Sequence, residues 1–391
     1  MTYRKFKGDY LFLGDRLAES DSVLITTDDG TVQDVVPAAA AGEDVVYMPG
    51  MLCPGFVNCH CHLELSHLRG VIPEGTGLVD FLGAVIRRRG AGGPMEGVAT
   101  GIAAAIAAAE QEMLDGGIVA VGDICNTADT LEQKLAGRLY YHNFIETIGF
   151  VSQGAAARFE QSKAVYDQFG GRRSIVPHAP YSVSAELFRL IAGFPESRLL
   201  TIHNQETDAE NDFLLSGEGD FLRLYSMLGV DVSFFHGTGK RSLESCLSYF
   251  NAGQTMILVH NVVTAAEDLD RMAGGPELYF CLCPNANLYI SGRLPDVELL
   301  VARGCRMVVG TDSLASNHRL SLLDELKTLQ RAFPRLGTVE LLGWATLNGA
   351  RALQMQELLG SFSPGKRPGV VLLAGLEEQR LAAATTARRI I

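Results

Sequence analysis

At 391 residues the chain exceeds one minimal domain and fits either a large α/β barrel with an appendage or two ordinary domains. Its 47% hydrophobic and 20% charged residues exclude general disorder. A net charge of −12 argues against a nucleic-acid partner, because phosphate recognition needs a basic surface. Eight scattered cysteines, with no C-x-x-C pair, point to a reducing cytosol rather than a disulfide framework. The basic start Met1–Tyr10 has no apolar stretch behind it, so no secretion signal is expected. The Ala-rich stretch Gly101 to Ala109 falls well short of the roughly 20 residues a membrane span needs and runs into Glu110 and Glu112. A soluble, cytoplasmic protein without membrane or nucleic-acid partners is the expectation.

Residues 1–52 read as a small β-structure: Ser22–Thr27, the turn Asp28-Asp29-Gly30, then Thr31–Val36 form a predicted hairpin. The apolar run Met51–His62 is the first strand of the next region. Arg87-Arg88-Arg89 before Gly90-Ala91-Gly92-Gly93-Pro94 marks a helix C-terminus, with solvated cations at the negative end of the dipole. β-branched runs then recur at Ile118–Val121, Leu139–Ile145, Ser174–Pro177, Leu199–His203, Met256–His260, Leu278–Cys283 and Met307–Gly310. Helical periodicity lies between many of them, notably over Val98–Leu114, Ala185–Ile191 and Leu322–Phe333. Eight strands in such alternation, without a Gly-rich phosphate turn, predict a (β/α)8 TIM-like barrel rather than an open doubly wound sheet. Past the loop Ser363–Gly369, the strand Val370–Leu373 resumes the style of the N-terminus. Residues 1–52 and 361–391 are therefore expected to form one small β domain, around a barrel of residues 53–360.

Chemistry in such a barrel sits at the C-terminal ends of the strands. Here those ends carry His60 and His62, Glu146, His178, His203, His260 and Asp312. His60 and His62 stand at i, i+2, so alternation puts both imidazoles on one face, with Cα atoms roughly 6–7 Å apart. His203 adds nitrogen and Asp312 adds oxygen, a ligand set suited to catalytic zinc with a position left for water. A divalent metal lowers the pKa of such a water from 15.7 to about 7, and Asp312 can take its proton. Cys59 and Cys61 share the other strand face and read as small buried apolar residues.

In His203-Asn204-Gln205-Glu206, Glu206 stands one turn beyond the ligand. It reads either as a proton carrier over the metal or as a solvated loop glutamate. His260 can orient water or polarise substrate. His178, with four ligands already assigned, is expected on substrate together with Glu146. Surface or loop positions are expected for His67, His142, His236 and His318.

Pro54–His62, Cys283-Pro284-Asn285-Ala286-Asn287, Gly310-Thr311-Asp312-Ser313 and Ala345–Ala350 together resemble the amidohydrolase superfamily over nearly the whole chain. That resemblance implies a barrel with a small β-sandwich built from both termini. Binuclear members carry a carboxylated lysine after an inner strand. The strand Tyr140–Glu146 offers none, which favours one metal. His203-x-x-Glu206 is similar to the mononuclear aminohydrolases, and implies Glu206 as proton shuttle, His260 as an orienting group and Asp312 as ligand and base. A narrower likeness, carried by His62-Leu63-Glu64-Leu65-Ser66, Gly77–Phe81 and His203–Thr207 with Glu210, is to aminodeoxyfutalosine deaminases. It implies attack by metal-bound hydroxide on the ring carbon that bears the 6-amino group of an adenine nucleoside analogue, in a menaquinone pathway. It also implies a homodimer.

One divalent ion is expected, zinc first, although imidazole and carboxylate also suit iron. Other substrates stay open: S-adenosylhomocysteine or methylthioadenosine, guanine, cytosine, a cyclic amide or a halogenated ring. A degenerate barrel serving as a scaffold is disfavoured, because all four candidate ligands and Glu206 persist. Glu64 is left between a backbone partner and a substrate contact.

Overall fold

The computed structural model describes residues 2–90, 101–272 and 274–391. The predicted loop 91–94 and the first residues of the predicted helix Val98–Leu114 lie outside them. Four strands come first: β1 (Tyr3–Leu11), β2 (Ser22–Thr27), β3 (Val32–Pro37) and β4 (Val45–Pro54). Eight follow in the middle: β5 (Phe56–Cys61), β6 (Ile118–Cys125), β7 (Tyr140–Thr147), β8 (Arg173–Pro177), β9 (Leu199–Asn204), β10 (Thr255–His260), β11 (Glu277–Leu282) and β12 (Met307–Val309). The chain ends on β13 (Val370–Ala374) and β14 (Thr386–Arg389).

Strands from both termini form one six-stranded sheet ordered β14-β13-β4-β1-β2-β3. The predicted hairpin is β2 paired antiparallel with β3, and the C-terminal strand β13 pairs antiparallel with β4. The single run Met51–His62 divides into two strands, β4 in this sheet and β5 in the next. The division falls at Gly55, where a Cβ would lie 2.3 Å from Val119 Cγ1 and 2.7 Å from the Pro368 carbonyl oxygen. Only a glycine lets the main chain pass that point.

The middle strands form two parallel four-stranded arcs, β5-β6-β7-β8 and β9-β10-β11-β12. All residues of β5, β6, β9, β10 and β12 are buried. That is the burial expected of parallel strands covered on both faces, and it explains why they read as continuous apolar runs. Helices connect successive strands, among them Ala155–Tyr166, Ala185–Gly193 and Pro284–Ser291. Ser184 caps the second of these by accepting from Leu187 N at 3.2 Å. The helix Leu78–Gly90 ends on the predicted arginine cluster.

The arcs meet at two seams. At one, Cys61 and Asp312 form a parallel bridge, and the N–H groups of Thr311 and Asp312 donate to the His60 carbonyl at 3.0 and 3.1 Å. Gly310 permits this approach, since a Cβ there would lie 2.8 Å from His60 Cβ. At the other seam His203 N donates to the His178 carbonyl at 2.9 Å, and Ser174 Oγ donates to the Leu199 carbonyl at 2.6 Å. Among the described residues no helix is long and apolar enough to cross a membrane.

Candidate active site

Four candidate ligands from four separate points in the chain meet at the C-terminal ends of the parallel strands. The ligand atoms of His60, His62, His203 and Asp312 all lie within 4.8 Å of one another, and all four residues are buried. His60 Nε2 and His62 Nε2 each stand 3.5 Å from Asp312 Oδ1. His62 Nε2 lies 3.2 Å from His203 Nε2.

The tautomers suit a cation. His203 Nδ1 donates to the His178 carbonyl at 2.8 Å, which leaves the Nε2 lone pair for the shared point. Burial pushes the proton affinity of His60 down, and takes His62 to about 3, so both rings are neutral. Among the described residues, neither ring nitrogen of the fully buried His60 has a hydrogen-bond partner beyond the 3.5 Å approach of Nε2 to Asp312. Orphaned buried nitrogens are costly unless something else satisfies them, and a metal would. Burial works against ionisation of Asp312, but His60 and the other imidazoles hold its carboxyl well below the usual range. Its second oxygen accepts from Ser316 Oγ at 2.6 Å, which orients Oδ1 toward the imidazoles. The residues present fit one divalent ion.

Glu146, His178 and His203 form a second close group. It does not make a second metal site, because both nitrogens of His203 are already committed. His178 Nδ1 lies 2.7 Å from Ser182 Oγ, whose proton goes to the Ala179 carbonyl. The ring therefore donates from Nδ1. Burial opposes ionisation of Glu146, yet His178 and His203 outweigh it and bring the carboxyl to about 2. Asn126 Nδ2 donates to Glu146 Oε2 at 2.9 Å.

Glu206 is 6% exposed and lines the same cavity, so the solvated-loop reading falls. Nor is it one helical turn past His203: β9 ends at Asn204, Gln205 has a φ of 48°, and the next helix starts at Asp208. Burial first, and then Asp312 and Glu210, raise the Glu206 carboxyl well above its ordinary range. That shift favours the protonated form. His260 Nε2 stands 3.7 Å from Glu206 Oε1. Asn287 Nδ2 donates to His260 Nδ1 at 2.9 Å, placing the ring proton on Nε2.

The cavity of about 810 Å³ contains the strand-end groups at its base, and Leu78, Phe81, Val85, Phe150 and Leu224 in its walls. This is room for a nucleoside-sized ligand with a polar floor and apolar sides.

Two expectations need correction or completion. His142 is neither at the surface nor in a loop: it lies buried in β7, with Nε2 3.1 Å from Ser174 Oγ. The polar partner across the strand made burial affordable, and sequence spacing did not reveal it. His236 and His318 are exposed, as expected, and His67 is half-buried at the end of the short helical turn Leu63–Leu68. Glu64 accepts from the N–H groups of Asn126 and Thr127 at 3.1 Å and from Thr127 Oγ1 at 3.0 Å, which is the backbone role. Cys59 and Cys61 are fully buried and stand outside the ligand cluster. Ser316 and Asn126 were not singled out in the sequence: Ser316 holds Asp312 from four residues on, and Asn126 acts through Glu146, 20 residues away.

A parallel α/β fold that brings three imidazoles and a carboxylate to one point defines the class of metal-dependent hydrolases. The sequence profile of the amidohydrolase family matches residues 51–389. The chain belongs to this family. It is 28% identical to an adenosine deaminase of Helicobacter pylori over 81% of this chain and 77% of that one. It is 26% identical to an aminodeoxyfutalosine deaminase of Nitratiruptor over 88% of this chain and 84% of that one. The crystal structure of Helicobacter pylori aminofutalosine deaminase in complex with methylthio-coformycin shares the fold, with a TM-score of 0.83, 22% identity and coverage of 99% and 100%.

Proposed function

We propose that the protein is a metal-dependent hydrolytic deaminase that releases ammonia from the 6-amino group of an adenine nucleoside analogue, foremost aminodeoxyfutalosine. The observation that carries this reading is the meeting of His60, His62, His203 and Asp312 beside a buried Glu206 that lines the same cavity. When bound, a divalent cation supplies Lewis acidity and a nucleophile from water at neutral pH. Zinc is the proposed ion, on the strength of the three imidazoles and one carboxylate. The proton that Asp312 takes from the attacking water reaches the departing amine through Glu206. His260 donates from Nε2 and orients the reacting oxygen, while Asp312 accepts the water's proton. Glu146, an acceptor, and His178 hold the substrate at the cavity wall.

The same proposal closes the two arcs into one (β/α)8 barrel. Hydrogen bonds at both seams support that closure. It also divides the chain into residues 53–360 and a terminal domain of 1–52 plus 361–391, a β-sandwich by resemblance. A homodimer, carried by the resemblance alone, and a cytoplasmic location, carried by the scattered cysteines, are part of the proposal.

The test is ammonia release by metal-loaded protein from aminodeoxyfutalosine, adenosine, methylthioadenosine, S-adenosylhomocysteine, guanine and cytosine. Turnover of the 6-amino nucleosides alone is expected, and aminodeoxyfutalosine should give the highest kcat/KM. Release from none of the nucleosides would contradict the proposal. Glu206→Gln should lower kcat by about 10²–10⁴ with the metal retained.

A further inference from the structure

Glu206 is delivered by a turn that its own sequence does not favour. Gln205, just before it, has a φ of 48°, and a left-handed residue with a side chain costs on the order of 1–3 kcal/mol. Such a conformation persists only where the surroundings hold it. Val263 N donates to the Gln205 carbonyl at 2.9 Å, and the N–H side of the turn is held by one carboxylate. Gln205 N donates to Glu210 Oε1 at 2.8 Å and Glu206 N donates to Glu210 Oε2 at 3.1 Å. Ser242 Oγ also donates to Oε1.

The side chain of Gln205 is tied separately. It accepts from Thr264 Oγ1 at 2.7 Å and donates to Asp268 Oδ2 at 2.9 Å, and Asp268 Oδ1 pairs with Arg241 Nε at 2.8 Å. Glu210 itself is fully buried and does not line the cavity. Among the described residues no lysine or arginine pairs with it, and burial pushes its carboxyl up to about 7. A carboxyl kept there at such a cost needs a reason beyond packing.

We infer that Glu210 is a positioning residue for the reaction: its two oxygens grip the Gln205–Glu206 main chain and so aim the Glu206 carboxyl into the cavity. The inference rests on the reading of Glu206 as proton carrier. The chemistry requires a carboxylate, because two adjacent N–H donors converge and a glutamine would oppose one of them with its own N–H groups.

A double-mutant cycle tests it, using ammonia release from the best nucleoside substrate together with metal content. Glu210→Gln should lower kcat by about tenfold to hundredfold, the loss expected from misplacing a catalytic group by about 1 Å. KM should change by less than about threefold, with one equivalent of metal retained. In a Glu206→Gln background, adding Glu210→Gln should cost less than about twofold, because the group it positions is already gone. Ser242→Ala removes one donor and leaves the carboxylate. It should cost about twofold to fivefold with the same dependence on Glu206, and it serves the cycle if Glu210→Gln does not fold.

Equal losses in both backgrounds, or losses confined to KM or metal content, would reduce Glu210 to a structural cap of its helix and overturn the inference. A fully active Glu206→Gln is a different result: it would remove the proton-carrier reading, and the clamp's purpose with it.

Discussion

His60 and His62 leave the first arc on ordinary backbone, His62 with a φ of −114°, whereas the second arc ends in strained residues. Gln205, His260, Asn261 and Asp312 have φ values of 48°, 75°, 59° and 56°. Side-chain carboxylates brace the strand ends of the first arc. Asp123 Oδ1 accepts from Leu63 N at 2.8 Å, one residue past His62, and Glu64 holds the loop after β6. The second arc adds an amide lattice to the carboxylates of Glu210 and Asp268: Asn204 Nδ2 donates to Asn261 Oδ1 at 3.0 Å and Asn261 Nδ2 donates to the Leu258 carbonyl at 2.9 Å. Ligands on an extended strand need support only where the strand stops. Groups that must turn back over the metal need support at every residue.

Breaking the braces of the first arc should therefore cost stability before it costs catalytic geometry. Lys134 lies buried beside Asp123, with Nζ 2.5 Å from Oδ2 and 2.7 Å from Asn143 Oδ1. Lys134→Met leaves Asp123 as an uncompensated buried charge. Unfolding in denaturant should show a loss of about 3–5 kcal/mol. A loss under about 1 kcal/mol would mean that Asp123 stands on its backbone bonds alone. Glu64→Gln keeps one acceptor oxygen but turns the other into a donor facing N–H groups. A loss of about 1–3 kcal/mol is expected, with KM for the nucleoside rising more than kcat falls, because Asn126 links Glu64 to Glu146.

The second arc offers a gentler probe in its pH dependence. Glu325 is fully buried, accepts from Asn285 N at 2.9 Å and Asn317 Nδ2 at 2.7 Å, and burial pushes its carboxyl up to about 8. Its folded value lies above the ordinary 4.5. The unfolded chain therefore loses this proton first as pH rises, and favours unfolding. The contribution of Glu325 to stability should be full below about pH 4.5 and decline as pH climbs to about 8. Denaturation midpoints across that window should slope less in Glu325→Gln than in the parent chain. Equal slopes would contradict the raised value.

The same contrast explains what the sequence made legible. The parallel strands announced themselves because burial on both faces gives unbroken apolar runs, and six of the eight led to a histidine, glutamate or aspartate at the strand end. His60 and His62 needed only strand alternation to be paired. The division of Met51–His62 at Gly55 was hidden, since two strands in different sheets share one apolar run. β14, with two arginines in four residues, lacked the apolar signal of a strand. Glu206 was identified by its spacing from His203, but its route into the cavity depends on a left-handed Gln205 and on Glu210, and neither follows from a local pattern. His142 was misplaced because its one polar partner, the Ser174 hydroxyl on Nε2, comes from a neighbouring strand that local spacing does not reveal.

Zinc-edge X-ray absorption on the purified protein, with metal counted per chain, tests the central claim most directly. One equivalent is expected, with a first shell of imidazole nitrogens near 2.0–2.1 Å and a carboxylate oxygen near 2.0–2.2 Å, and loss of the bound metal in His203→Ala. A chain that takes up no stoichiometric divalent metal, or a spectrum unchanged by removing His203, would contradict the account.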